Sequence, residues 1–375
     1  MHPGVKSAPD RWRPDDSVNG GKRFVPARFG RRDFLRALGV AAALPLLDGA
    51  PSLRAQAAKP TMHVYPNYGW LRGLGIVPSW GANIVEAWQL YDGARFRGEV
   101  ALARTIHCNC IRLWIEFAAW QTDPKLITGR FFDAVAGIAE NGMKVMPCFF
   151  NHWHDAKLDY GGTSAADDPA PHLEYVRTLA TPLANDDRVL IWDLCNEPGA
   201  NPQEFKWLSE IAATVRACGV RQPITIGTTS GANITAFASL VDVLNGHPYD
   251  HHRDSLEAAI ASFAALSEET GKPFLVNETF PGALDDLVRA EIVRFCSEML
   301  SAAGFGWMGW VIREGRAIAT TRELHDGNGI DGGGYHPFFT REGRLRDGLE
   351  FLTEAPQLRP PWEKPSSDNF QNHEP

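Results

Sequence analysis

The 375-residue chain lacks several things that would have named its class at once. It has no apolar run long enough to stay in a bilayer as a permanent helix; the most apolar stretch is short and broken by Pro45. No CxxC spacing occurs, which removes a cysteine zinc site. No GxGxxG or GxxxxGK[ST] follows the first predicted strand, so the usual mark of a nucleotide-binding open sheet is missing. Positive charge is scarce. Beyond residue 57, 27 Lys and Arg face 40 Asp and Glu, a net of −13, and such a surface repels phosphate backbones, which excludes nucleic acid as an expected partner. No internal repeat and no second module are visible.

What is present begins with a leader. Arg31 and Arg32 precede Phe34, Leu35 and the broken apolar run, and Ala55-Gln56-Ala57 closes it with a small-x-small site. Residues 1–57 read as a removable export signal of the twin-arginine type, which predicts a periplasmic or secreted protein with no membrane attachment after removal. Cys108, Cys110, Cys148 and Cys195 fall in or beside predicted core strands, and Cys218 and Cys296 in predicted helices. Free buried thiols, not a disulfide framework, are expected of a chain exported already folded.

Residues 58–354 alternate between two textures. Apolar runs such as "NCIRLWIEF", "KVMPCFF", "VLIWDLCN" and "PFLVNETF" recur, separated by stretches of helical spacing including Gln203–Cys218, Ser255–Thr270 and Leu284–Ala303. Near-continuous apolar strands imply burial on both faces, hence a parallel sheet under helices. Eight of them predict a single-domain (β/α)8 barrel. Two connections, Asn151–Pro171 and Arg313–Arg344, are longer than a barrel needs, and long loops at strand C-termini tend to carry function. Residues 355–375 form a Pro-rich tail expected to drape over the barrel.

In such a barrel the working residues lie at the C-terminal ends of the strands. Those ends supply Arg112 on the second strand, His152 after the third, Asn196 and Glu197 on the fourth, His247 and Tyr249 on the sixth, Glu278 on the seventh and Trp310 on the eighth. Two carboxylates across a pocket are what glycosidic cleavage requires, one protonated to serve the leaving oxygen and one ionised to attack the sugar carbon. Arg112 and the Tyr249 hydroxyl are the groups to hold Glu278 ionised, which leaves Glu197 protonated beside that charge. Asn196 is placed for a sugar hydroxyl and Trp310 for the face of the ring.

Taken in register, "NEP" on strand four, "VNETF" on strand seven, "HPY" after strand six, the arginine on strand two and the tryptophan on strand eight resemble glycoside hydrolase clan A, and family 5 within it. That resemblance implies a retaining double displacement with Glu197 as acid/base and Glu278 as nucleophile, their carboxyl groups about 5–5.5 Å apart. It implies a carbohydrate substrate (a β-linked glucan, mannan or oligosaccharide), no cofactor and no metal, and a monomer. At the third strand end His152 is favoured over His154, being nearer the strand. Trp80, Trp120 and Trp153 read equally as sugar platforms or core, and Arg313 and Glu314 as contacts to a second sugar or a rim salt bridge.

Two other readings stand beside this one. His152-x-His154-Asp155, with His247, His251 and His252, is the pattern of a metal-dependent barrel hydrolase, but the fourth and fifth strand ends add no lysine or histidine ligand. A catalytically silent carbohydrate-binding barrel is the other, and the intact glutamate pair argues against it.

Overall fold

The computed structural model describes residues 62–151, 168–229, 231–317, 319–324, 330–331 and 334–363. The leader, His152 to Asp155 and the end of the tail lie outside the described residues.

Eight short segments rich in Val, Ile, Leu and Phe make parallel strands: Arg72–Ile76, Cys110–Trp114, Lys144–Asn151, Trp192–Asn196, Ile224–Gly227, Leu244–Asn245, Phe274–Thr279 and Trp307–Gly309. The first pairs with both the second and the eighth, and the sheet runs outward from there to the fifth on one side and the sixth on the other. A parallel bridge between Thr228 and Gly246 joins those two edges, so the ring closes. The sixth strand is far shorter than its apolar run in the sequence, and side chains reinforce the backbone pairing ahead of it. Asp242 Oδ2 accepts from the Ile224 amide at 2.8 Å, and the Thr225 hydroxyl donates to the Val243 carbonyl at 2.8 Å.

The helices fall where the 3.6-residue spacing put them, among them Pro202–Ala217, Arg253–Thr270 and Asp286–Ala302. Their starts are set by caps: Asn201 accepts from the amides of Gln203 and Glu204, and Asp285 accepts from the Val288 amide, each satisfying donors with no partner inside the helix. Asn201 matters for the site, since it starts the helix only four residues after Glu197.

Between helices and barrel lies the main apolar core. A second cluster, with Cys110, Met146, Leu275 and Met308 from the strands, fills the N-terminal end of the barrel and packs on Tyr68 and Leu71. Trp362 from the tail crosses that end and meets Trp70 edge-on at 5.0 Å. All six cysteines are free, and five are buried. The loop after the eighth strand is tied down by the short pair Ile330–Asp331, antiparallel to Gly282–Ala283. No helix among the described residues is long and apolar enough to cross a membrane.

Candidate active site

A strand sends successive side chains to opposite faces, so Asn196 and Glu197 should not both point into one pocket. They do so because the fourth strand breaks its register against the fifth between Asp193 and Asn196, and Glu197 then turns left-handed at φ +50°. Its amide is held to the Gly227 carbonyl at 2.8 Å. The seventh strand has the same irregularity, between Val276 and Thr279, where Asn277 and Glu278 are both buried. Each glutamate thus sits on a strand distorted where the pair of polar residues has to face inward.

Arg112 is the hub beneath them. Fully buried, it donates through Nε and Nη2 to Asp193 Oδ2 at 2.9 and 2.8 Å, through Nη2 to Asn196 Oδ1 at 2.8 Å, and through Nη1 to Glu278 Oε2. A cation with no access to water is tolerable only with such complete pairing. Tyr249 donates its hydroxyl to the other Glu278 oxygen at 2.8 Å. Burial drives the Glu278 carboxyl upward, the charges of His247 and Arg112 pull it back, and the negative charge of Glu197 adds to the rise; the net direction is up.

His247 joins the two carboxylates' surroundings. Asn277 commits its amide nitrogen to Asp193 Oδ2 at 2.8 Å, which turns its oxygen toward His247 Nε2 at 2.7 Å. Nε2 therefore carries a proton and donates it to Asn277. The other ring nitrogen, Nδ1, lies 2.6 Å from Glu197 Oε1, so one further proton is shared between that nitrogen and the carboxyl. Burial alone would lower the His247 pKa, but the bond to Glu197 and the charges of Glu278 and Glu197 prevail and raise it. A side chain at Gly227 would drive its Cβ into His247 Nε2, so glycine there is a condition for the histidine's position.

One ligand atom from each of Glu197, His247 and Glu278 lies within 4.8 Å of the other two. As a cation site this set is poor in chemistry: both ring nitrogens are committed, and Arg112 already places a positive charge on Glu278. As a pair of facing carboxyls in unlike surroundings, one beside a guanidinium and a phenol and one beside an imidazole, it suits acid–base division of labour.

Of the residues read from the strand ends, Arg112, Asn196, Glu197, His247, Tyr249 and Glu278 come together. Trp310 lies just past the eighth strand with its ring tilted against Trp114 at 4.6 Å, and Trp114 in turn stacks over Arg112 at 5.3 Å. His152 lies outside the described residues. Trp80 and Trp120 are core, 5% and 6% exposed, each donating its indole N–H inward, to the Ala87 carbonyl and the Thr128 hydroxyl. Glu314 makes rim contacts to Arg341 and Tyr335, and Arg313 to Glu99. Sequence reading passed over Asp193, Asn277 and Asn151, which accepts from the Asn196 amide at 3.1 Å, and over His336, edge-on to Tyr249 at 5.7 Å. The signal for Asp193 was available: a carboxylate inside the apolar run "LIWDLC" needs a buried cation, and Arg112 is the one on offer.

Comparison with known proteins agrees with this geometry. The model of the cellulase family (glycosyl hydrolase family 5) matches residues 100–315. No curated protein sequence matches the chain. Among solved structures, an exo-β-1,4-mannosidase from Opitutaceae bacterium strain TAV5 superposes with a TM-score of 0.61 at 18% identity, over 76% of this chain and 58% of that one. This chain thus spans little more than half of that mannosidase. GH5_18 from Streptomyces cattleya, solved with Manβ1-4GlcNAc, gives 0.57 at 15% identity over 77% of this chain and 83% of that one. A β-D-glucuronidase of Dictyoglomus thermophilum gives 0.56 at 18% identity, over 78% and 52%. With a (β/α)8 barrel, two glutamates at its mouth and a family match over more than half its length, the chain belongs to glycosyl hydrolase family 5, and it is an O-glycosyl hydrolase acting on carbohydrate.

Proposed function

We propose that the enzyme is a retaining β-glycosidase in which Glu278 is the nucleophile and Glu197 the acid/base. The observation that carries this reading is the closeness of the two carboxyls, with ligand oxygens within 4.8 Å of one another. An inverting enzyme needs room for a water between them and separates its carboxyl groups by about 6.5–9.5 Å, whereas a retaining one holds them about 5–5.5 Å apart. Glu278 attacks the anomeric carbon as Glu197 gives its proton to the departing oxygen. Glu197, again a base, then takes a proton from the water that releases the sugar. Asn196, with one amide hydrogen beyond its bond to Asn151, is the group for the neighbouring hydroxyl, and Trp310 for the sugar face.

β-Mannosides head the substrate classes to test, because the solved chains of similar fold include a β-mannosidase and a complex with Manβ1-4GlcNAc. Residues 1–57 are proposed as the export signal, with the barrel acting outside the cytoplasm. The experiment is hydrolysis of a panel of aryl β-mannosides, β-glucosides and β-linked polysaccharides by the protein from residue 58, with the anomer of the first product followed by NMR. A β-product supports retention, and an α-product overturns it.

A pH prediction follows from the surroundings of Glu278. It must be ionised to attack, so kcat/KM falls as pH drops through its pKa; because that pKa is raised, the acid limb sits above the ordinary carboxylate range. The Tyr249 hydroxyl favours the ionised form, so Tyr249→Phe raises the pKa further and moves the acid limb to still higher pH. An acid limb that is unmoved, or moves down, in the variant's pH–rate profile removes Glu278 from that titration.

A further inference from the structure

The mouth of the barrel is not the only concave place with sugar-binding chemistry. At the opposite, N-terminal end lies a cleft of about 390 Å³. Its walls come from separate parts of the chain: Tyr65 ahead of the first strand, Lys144 opening the third, Asn185 and Asp187 ahead of the fourth, Arg221 ahead of the fifth, and Trp362 from the tail. Residues ahead of strands lie at the end of the barrel away from the catalytic glutamates, so this cleft is separate from the active site.

Two rings form its apolar side, and both are braced. Trp70 meets Tyr65 at 5.2 Å and Trp362 at 5.0 Å, each edge-on, while Lys144 Nζ lies 5.2 Å over the Trp362 ring. Part of the polar side is spent, since Lys144 donates to the Asp187 carbonyl and Gln222 to the carbonyls of Leu183 and Asp186, and part is not. The side chains of Asn185, Asp187 and Arg221 make no hydrogen bond or ion pair among the described residues, although all three face one cleft. Of the two cations in the lining, Lys144 already donates to the Asp187 carbonyl and lies over the Trp362 ring, which leaves Arg221 against the Asp187 carboxylate and gives little reason for an anion to prefer the cleft. Planar amide, carboxylate and guanidinium groups that can each engage two adjacent hydroxyls, set beside rigid aromatic rings, are what an uncharged sugar requires.

We propose that this cleft is a second, non-catalytic saccharide site. It binds a β-linked oligosaccharide of the class cleaved at the barrel mouth, and so rests on the glycosidase reading for the identity of its ligand. Two sites on opposite ends of one barrel hold a polymeric glycan more firmly than either alone, without a new catalytic contact.

The test is an NMR titration of the ¹⁵N-labelled Glu278→Gln protein with β-1,4-mannotetraose and with cellotetraose, reading the tryptophan indole signals. The Trp362 indole, assigned by its loss in Trp362→Ala, is expected to shift with its own, weaker saturation curve. In an Asp187→Ala/Arg221→Ala double variant, which alters only exposed side chains, that curve weakens at least tenfold while the active-site curve is unchanged. The same double substitution in the otherwise unaltered enzyme keeps aryl glycoside hydrolysis within twofold. A Trp362 signal that stays still while the active site saturates, or that shifts equally in the double variant, overturns the proposal. Failure of the glycosidase reading has a different signature: no hydrolysis of any aryl glycoside, with the Trp362 curve intact.

Discussion

Glu278→Gln is expected to lose turnover by roughly 10⁶-fold in kcat, the scale on which removing a covalent nucleophile registers when the rest of a site is intact. The substitution is close to isosteric, so it isolates chemistry from packing. The amide oxygen still accepts from Arg112 Nη1 while the amide nitrogen donates to the Tyr249 hydroxyl oxygen, and Arg112 keeps Asp193 and Asn196. The fold should therefore survive, and a thermal melt close to that of the unaltered protein is part of the expectation. What disappears is the carboxylate proposed to form the bond to the anomeric carbon. Intact-mass measurement with an activated 2-fluoro glycoside is expected to show a glycosyl adduct on the unaltered enzyme, mapped to the peptide containing Glu278, and none on the variant. More than 1% residual turnover, or an adduct on another peptide, would move the nucleophile elsewhere.

The architecture was readable because its cause is local. A strand buried on both faces must be apolar along its whole length, and "KVMPCFF" or "PFLVNETF" cannot disguise that. The strand ends were readable for the complementary reason: Glu197 or Glu278 at the tip of an apolar run has no structural role to play there. Register was not readable. Nothing in "WDLCNEP" says that the strand slips between Asp193 and Asn196 and that Glu197 turns left-handed. Yet this slip is what lets two consecutive polar residues share a pocket.

The supporting network escaped for a related reason. The links from Arg112 to Asp193, from Asp193 to Asn277 and from Asn277 to His247 join residues 81, 84 and 30 positions apart. Only closure of the barrel brings them together. The consequence is chemical, since Asp193 orients the Asn277 amide, that amide fixes which nitrogen of His247 is a donor, and the remaining nitrogen governs Glu197. The sequence reading assigned the two glutamates unlike protonation through Arg112 and Tyr249 alone. The structure adds a second lever on the other side of the pair, His247 against Glu197.

Glu197→Ala is expected to behave differently from Glu278→Gln, because the roles proposed for the two carboxyls differ. With the nucleophile kept, the first step still proceeds on aryl glycosides whose leaving group needs no proton, so dinitrophenyl substrates are expected to lose little in kcat/KM. Substrates with poor leaving groups, including natural oligosaccharides, are expected to lose about 10²–10⁴-fold, the range that general acid–base assistance supplies. Release of the sugar slows because no base activates water, and the glycosyl-enzyme accumulates as a burst. Azide needs no such base and fits the space left by the carboxyl, so it should restore turnover on the good substrates and yield a glycosyl azide of β configuration. The pH profile should change too. His247 loses the hydrogen bond that leads the forces raising its pKa, and burial, which favours the neutral ring, gains ground. Losses that are equal across leaving groups, with no azide product, would mean that Glu197 does not hand over the proton.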